Sequence, residues 1–199
     1  MTILRVNPEV HKKSDLVTIG VDLVMEFIED NPKLSIPIIK TGVNCGGYKG
    51  EYFPPKKEKP ATIVISKSCV PAVKNPGFSW SFPGYKADMT PVGVAAHECG
   101  HHVQHCFRPD MRSLVYSTQF ESCLSSYEPT ASEMLAEAVK LFITNPDLLK
   151  TGRPCRYKFL TEDIGLTPII TQTWKDVLTY AHPKIIAAAE KWIIARAKR

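Results

Sequence analysis

The sequence predicts an α+β fold: a small twisted sheet with a backing helix, then a helix from Val92 to Phe107, then a mainly helical C-terminal part. Three stretches carry that expectation. Thr62-Ile63-Val64-Ile65-Ser66 is an apolar, β-branched run of strand length. Ala96, Gly100, Val103 and Phe107 recur at helical spacing within an apolar stretch. Met134, Leu135, Ala138, Leu141 and Phe142 form a second helical stripe, closed by Asn145-Pro146. The 199 residues suit one domain with a substantial core. Residues 1–107 would hold the sheet and the first two helices, and residues 108–199 the helical remainder.

In chain order, Ser14 is positioned to cap a helix from Asp15 to about Asp30. Leu16, Ile19, Leu23, Val24, Phe27 and Ile28 give its apolar face, and Asn31-Pro32 ends it. Ile36 to Lys40 is a short strand candidate. Gly42 to Pro60 reads as turns and a hairpin broken by Gly46, Gly47 and Gly50. After the strand at Thr62 to Ser66, the aromatic run from Gly77 to Thr90 fits either a flap or a half-buried strand. Thr90 is a fitting N-cap for the next helix, with Pro91 at its first position. Ser113 to Leu124 is expected to cross beneath or beside the site. Ser132 or Thr130 would cap the helix ending near Thr144. An irregular segment from Pro146 to Pro168 should follow, then two helices, Thr171 to Tyr180 and Pro183 to Lys198.

The chemistry is concentrated in His97-Glu98-Cys99-Gly100-His101. On a helix, residues four apart share a face, so both imidazoles can aim at one point. Such a pair suits Zn²⁺ ligation, and Glu98 lies beside that face as a general base, as in a zinc peptidase. Gly100 costs a helix roughly 1 kcal/mol against Ala, and close packing against another metal-bearing helix would justify it. A metzincin would carry a further His six residues after His101, but that position is Phe107. His105 lies eight residues from His97, about 12 Å along a helix, too far for one ion to bind both. His102 points away from the pair. Both are read as surface or supporting histidines.

A third ligand is needed, and Glu133 on the second helix is the candidate. Glu137, one turn on, is placed to accept a hydrogen bond from the free ring nitrogen of a ligand His, fixing its tautomer. The alternative is that both are solvated helix glutamates, the usual fate of Glu.

His97-Glu98-Cys99-Gly100-His101 followed by Glu133, Ala136, Glu137 and Ala138 resembles the gluzincin metallopeptidases. The resemblance is to the group holding the anthrax lethal factor catalytic domain and the Pro-Pro endopeptidases. It implies a zincin-like fold, one Zn²⁺ held by His97, His101 and Glu133, and support from Glu137. It also implies a tyrosine shortly before the ligand Glu that stabilises the oxyanion. Tyr127, six residues before Glu133, matches, with Tyr116 in reserve. In zincins an edge strand beside the active-site helix binds extended substrate, and Thr62 to Ser66 is the candidate here.

Composition narrows the alternatives. The net charge of +5 is mild and scattered, which argues against nucleic-acid binding. No 18-residue apolar run and no recognisable secretory signal are present, so a cytoplasmic or non-classically delivered protein without a membrane span is expected. The six cysteines contain no Cys-x-x-Cys pair and are expected as free thiols, with Cys99 a small buried residue rather than a nucleophile. The expected activity is zinc-dependent endopeptidase action on a peptide or protein. The alternatives are a catalytically silent zincin-like module or a zinc-dependent amidohydrolase.

Overall fold

The computed structural model describes residues 13–70, 88–125, 127–171 and 173. The helix expected from Pro183 to Lys198, all but Thr171 and Thr173 of the one expected from Thr171 to Tyr180, and all but the last three residues of the Gly77–Thr90 stretch lie outside the described residues.

The architecture is mixed α+β, with a small sheet and mostly helices. Helix α1 spans Lys13–Glu29 and buries Leu16, Leu23, Val24, Phe27 and Ile28. Ser14 lies inside this helix, its Oγ turned to Asp15, so it is not the cap the sequence suggests. Asn31 ends the helix. Its amide donates to the Phe27 and Thr167 carbonyls and its Oδ1 accepts from Thr167 N, tying α1 to the far end of the described chain.

Three strands follow: β1 (Ile38–Val43), β2 (Gly50–Phe53) and β3 (Thr62–Ser66). Their order is β1-β3-β2, with β1 parallel and β2 antiparallel to β3. The strand at Thr62 to Ser66 is therefore central. Ile63, Val64, Ile65 and Ser66 are all buried, which explains the unbroken apolar run: a strand covered on both faces has no reason to alternate. Its proposed role as a substrate-binding edge is overturned, because both its edges are paired.

Helix α2 (Pro91–Phe107) packs on the sheet and on α1. Thr90 caps it as expected, its hydroxyl accepting from Gly93 N at 3.2 Å, with Pro91 at the start. Arg108 closes it in a left-handed conformation. Helix α3 (Met111–Ser117) occupies the connection to helix α4 (Ala131–Thr144). Thr130, not Ser132, caps α4, accepting from Glu133 N at 3.2 Å. The segment after Pro146 is helical rather than irregular. Short helices α5 (Pro146–Gly152) and α6 (Pro154–Lys158) run into a π-helical turn at Phe159–Asp163. Pro146 and Pro154 each sit in the first turn of a helix, where a missing N–H costs nothing. The core lies between α1, α2, α4 and the inner face of β3, with Phe27 and Phe142 meeting edge to face.

Candidate metal centre

Two helices build the site by crossing at one glycine. A Cβ on Gly100 of α2 would stand 2.5 Å from the Ala136 Cα of α4. Only the missing side chain lets the backbones approach so closely, which answers why a helix would accept Gly there. With the helices this near, His97 and His101 of α2 face Glu133 of α4.

Glu133 Oε2 lies 3.1 Å from His97 Nε2 and 3.6 Å from His101 Nε2. The three ligand atoms lie within 4.8 Å of one another, a grouping that could hold a metal ion. The other nitrogen of each ring is already engaged. His97 Nδ1 is 2.9 Å from Glu137 Oε1, and a carboxylate can only accept, so Nδ1 carries the proton. Ser132 Oγ donates to Gln104 Oε1 at 2.6 Å and so accepts from His101 Nδ1 at 3.3 Å. Both Nε2 atoms are left facing Glu133. Glu133 Oε2 is buried without a hydrogen bond of acceptable geometry. A buried carboxylate oxygen needs a partner, and two imidazoles plus one carboxylate are a donor set suited to a divalent transition metal. The residues therefore fit such an ion.

The electrostatics agree. Burial pulls the His97 imidazole down, but the Glu133 and Glu137 carboxylates outweigh it and push the ring up to about 9. Two acids thus hold a positive charge where the ion would place its own. His101 is pushed down by burial and by the neighbouring His97. The Glu133 carboxyl is held below its ordinary range by His97. Glu137 is also held down, to about 2: burial works against ionisation, but Lys140 and His97 prevail.

Glu98 is buried beside the pair, and burial pushes its carboxyl up to about 7 against the pull of His97. Strand β2 presses on it: a Cβ on Gly50 would stand 2.7 Å from Glu98 Oε1 and 2.5 Å from Val94 Cγ1. The Tyr127 ring stands 5.6 Å from the His97 ring, half-exposed, its hydroxyl pushed up by burial and by Glu133. Tyr116 is 76% exposed on α3 and lines neither cavity at the site.

Two cavities flank His97, Glu98 and Tyr127. One of about 780 Å³ is bordered by Glu51, Tyr52, His101 and His105. The other, of about 310 Å³, is bordered by Tyr48, Asp88, Met89 and Val94. Among the described strands, β2 is the sheet edge on this cleft.

His102 is turned away from the pair and fully buried, which excludes the surface alternative and leaves the supporting one. Its Nε2 donates to the Ser35 carbonyl at 2.7 Å, so Nδ1 accepts from the Tyr52 hydroxyl at 3.2 Å. Burial keeps this ring neutral. It is a tether between α2 and β2. His105 lies in the cleft wall beside Tyr52, outside the three-residue cluster. Cys99 is fully buried, its thiol pushed up by burial, and all six cysteines are free.

Sequence reasoning missed Lys140, Gln104 and the contact role of Ser132. Gln104 follows His101 by three residues on the same helix, a spacing that hinted at contact. Lys140 follows Glu137 by the same spacing, and only its burial was not readable locally. Comparison with protein-family models, curated proteins and solved structures finds no match. Among the described residues no helix is long and apolar enough to cross a membrane.

Proposed function

We propose that the chain is a zinc-dependent endopeptidase with a zincin-like fold of the gluzincin type. One observation carries the reading: Glu133 Oε2 converges on the Nε2 atoms of His97 and His101, with Glu98 buried alongside. His97, His101 and Glu133 would hold one Zn²⁺. When bound, the ion supplies a Lewis acid that polarises a carbonyl and acidifies water.

The rest falls to the chain's own side chains. Ionised Glu98 takes a proton from the attacking water and delivers it to the leaving amine. Burial raises the affinity of this carboxyl for the proton it takes up. The Tyr127 phenol, pushed up and therefore protonated, donates a hydrogen bond to the developing oxyanion. Glu137 fixes His97 by accepting from Nδ1. The cavities on either side of Glu98 suit an extended chain passing through the site. Among the described residues the outer backbone edge of β2 pairs with no strand, and it offers groups to pair with that chain.

The test is metal analysis of the purified protein together with digestion of an unfolded generic protein, with and without chelator. One zinc per chain and chelator-sensitive cleavage are expected. Bound zinc without cleavage would favour a binding module, and absence of any metal affinity would sink the proposal.

A further inference from the structure

Lys140 plays no part in the reaction above, yet it is one of the few buried cations described, 7% exposed. It stands one turn after Glu137 on α4, and its Nζ donates to Glu137 Oε2. The other oxygen, Oε1, takes the proton-bearing His97 Nδ1 at 2.9 Å. Glu137 is 1% exposed, so water does not compete for either oxygen. The result is a line from ammonium to carboxylate to imidazole, ending on the nitrogen that faces Glu133.

We propose that Lys140 is a positioning residue of the metal centre: its ammonium locks the Glu137 carboxylate so that His97 keeps its proton on Nδ1 and presents Nε2 to the cation. The inference rests on the metal-centre reading. With both oxygens engaged from different directions, the carboxylate cannot rotate about its last bond. With His97 as its sole partner it could turn, and the ring would turn with it. The alternative is that Lys140 merely neutralises a buried acid and serves stability alone.

Zinc titration of the folded full chain separates the two. The variants are Lys140→Met, Lys140→Arg, Glu137→Gln and the double variant Glu137→Gln/Lys140→Met. Lys140→Met is expected to weaken zinc binding by up to about tenfold, the low end of the range for losing the group directly behind a ligand His, which here is Glu137. Lys140→Arg should recover most of that loss. In the Glu137→Gln background, Lys140→Met should leave zinc binding unchanged, because the carboxylate that bridges Lys140 to His97 is gone, whereas the Asp88 carboxyl that Lys140 also holds down is not bonded to a ligand ring. Unchanged zinc affinity in folded Lys140→Met overturns the inference, as does an equal loss in both backgrounds. Should Lys140→Met fail to fold, the neutral pair still decides: a double variant binding zinc more weakly than Glu137→Gln overturns it. Wild-type protein that binds no zinc fails the metal-centre reading instead.

Discussion

Gly100 and Ala136 meet where α2 crosses α4, so closely that a methyl group on residue 100 would stand 2.5 Å from the Ala136 Cα. This contact sets the distance between the histidine pair and Glu133. Gly100→Ala gains roughly 1 kcal/mol of helix propensity but forces apart two backbones that cannot give. Overpacking typically costs about 1–3 kcal/mol. A net loss of stability in denaturant melts is expected, with weakened zinc binding. A Gly100→Ala protein that is more stable and binds zinc equally well would refute the packing argument.

The proposed ligand set and the proposed general base should separate by mutation. Glu98→Gln keeps the shape of the side chain but loses its basicity. It should retain zinc and lose activity by about a hundred- to ten-thousand-fold. Glu133→Ala should lose zinc sharply. His105→Ala should leave the metal content nearly unchanged, since His105 lies outside the three-residue cluster. Stoichiometric zinc in Glu133→Ala would remove the third ligand.

Metal affinity should depend on pH in a defined direction. In the metal-free protein His97 is pushed up to about 9, so at neutrality its Nε2 carries a proton that the ion must displace. His101 is pushed down and is already neutral there. Affinity should therefore rise by about tenfold per pH unit between about 7 and 9 and flatten above, one proton being released per ion. Glu98, near 7, sheds its proton more readily beside a dication and steepens the curve below that pH. Zinc titrations in buffers of different pH would measure the slope, and a flat profile would contradict the charge assignment.

Arg156 anchors the loop that carries Tyr127. Its guanidinium pairs with Glu128, both side chains 1% exposed, at 2.9 Å. Glu128 Oε1 also accepts from Leu124 N at 2.7 Å. Arg156→Met strands the Glu128 carboxylate, and breaking such a buried pair costs about 3–5 kcal/mol. A large drop in Tm is expected, whereas Glu128→Gln/Arg156→Met should recover part of it. A drop of a degree or less in the single variant would mean that the pair contributes little.

Much of this molecule is legible locally. The boundaries of β3, α2 and α4 follow from apolar periodicity and from Thr90, Pro91 and Thr130, because caps and stripes are interactions within a few residues. The same locality places His97 and His101 on one face. The helices from Pro146 onward were misread, since their prolines look like breakers until they are seen at helix starts.

By itself, the sequence determined that an imidazole pair with a neighbouring acid would sit on a helix, and that Glu133 and Glu137 would share another. Only the tertiary structure decided how those helices meet. It put the Glu133 carboxylate opposite both rings, made the Thr62–Ser66 strand central rather than an edge and buried His102 against β2. The reason is range. Hydrogen bonds and stripes within one element depend on residues a few positions apart. Strand order and the approach of two helices depend on contacts between residues far apart in the chain, and no local pattern records those.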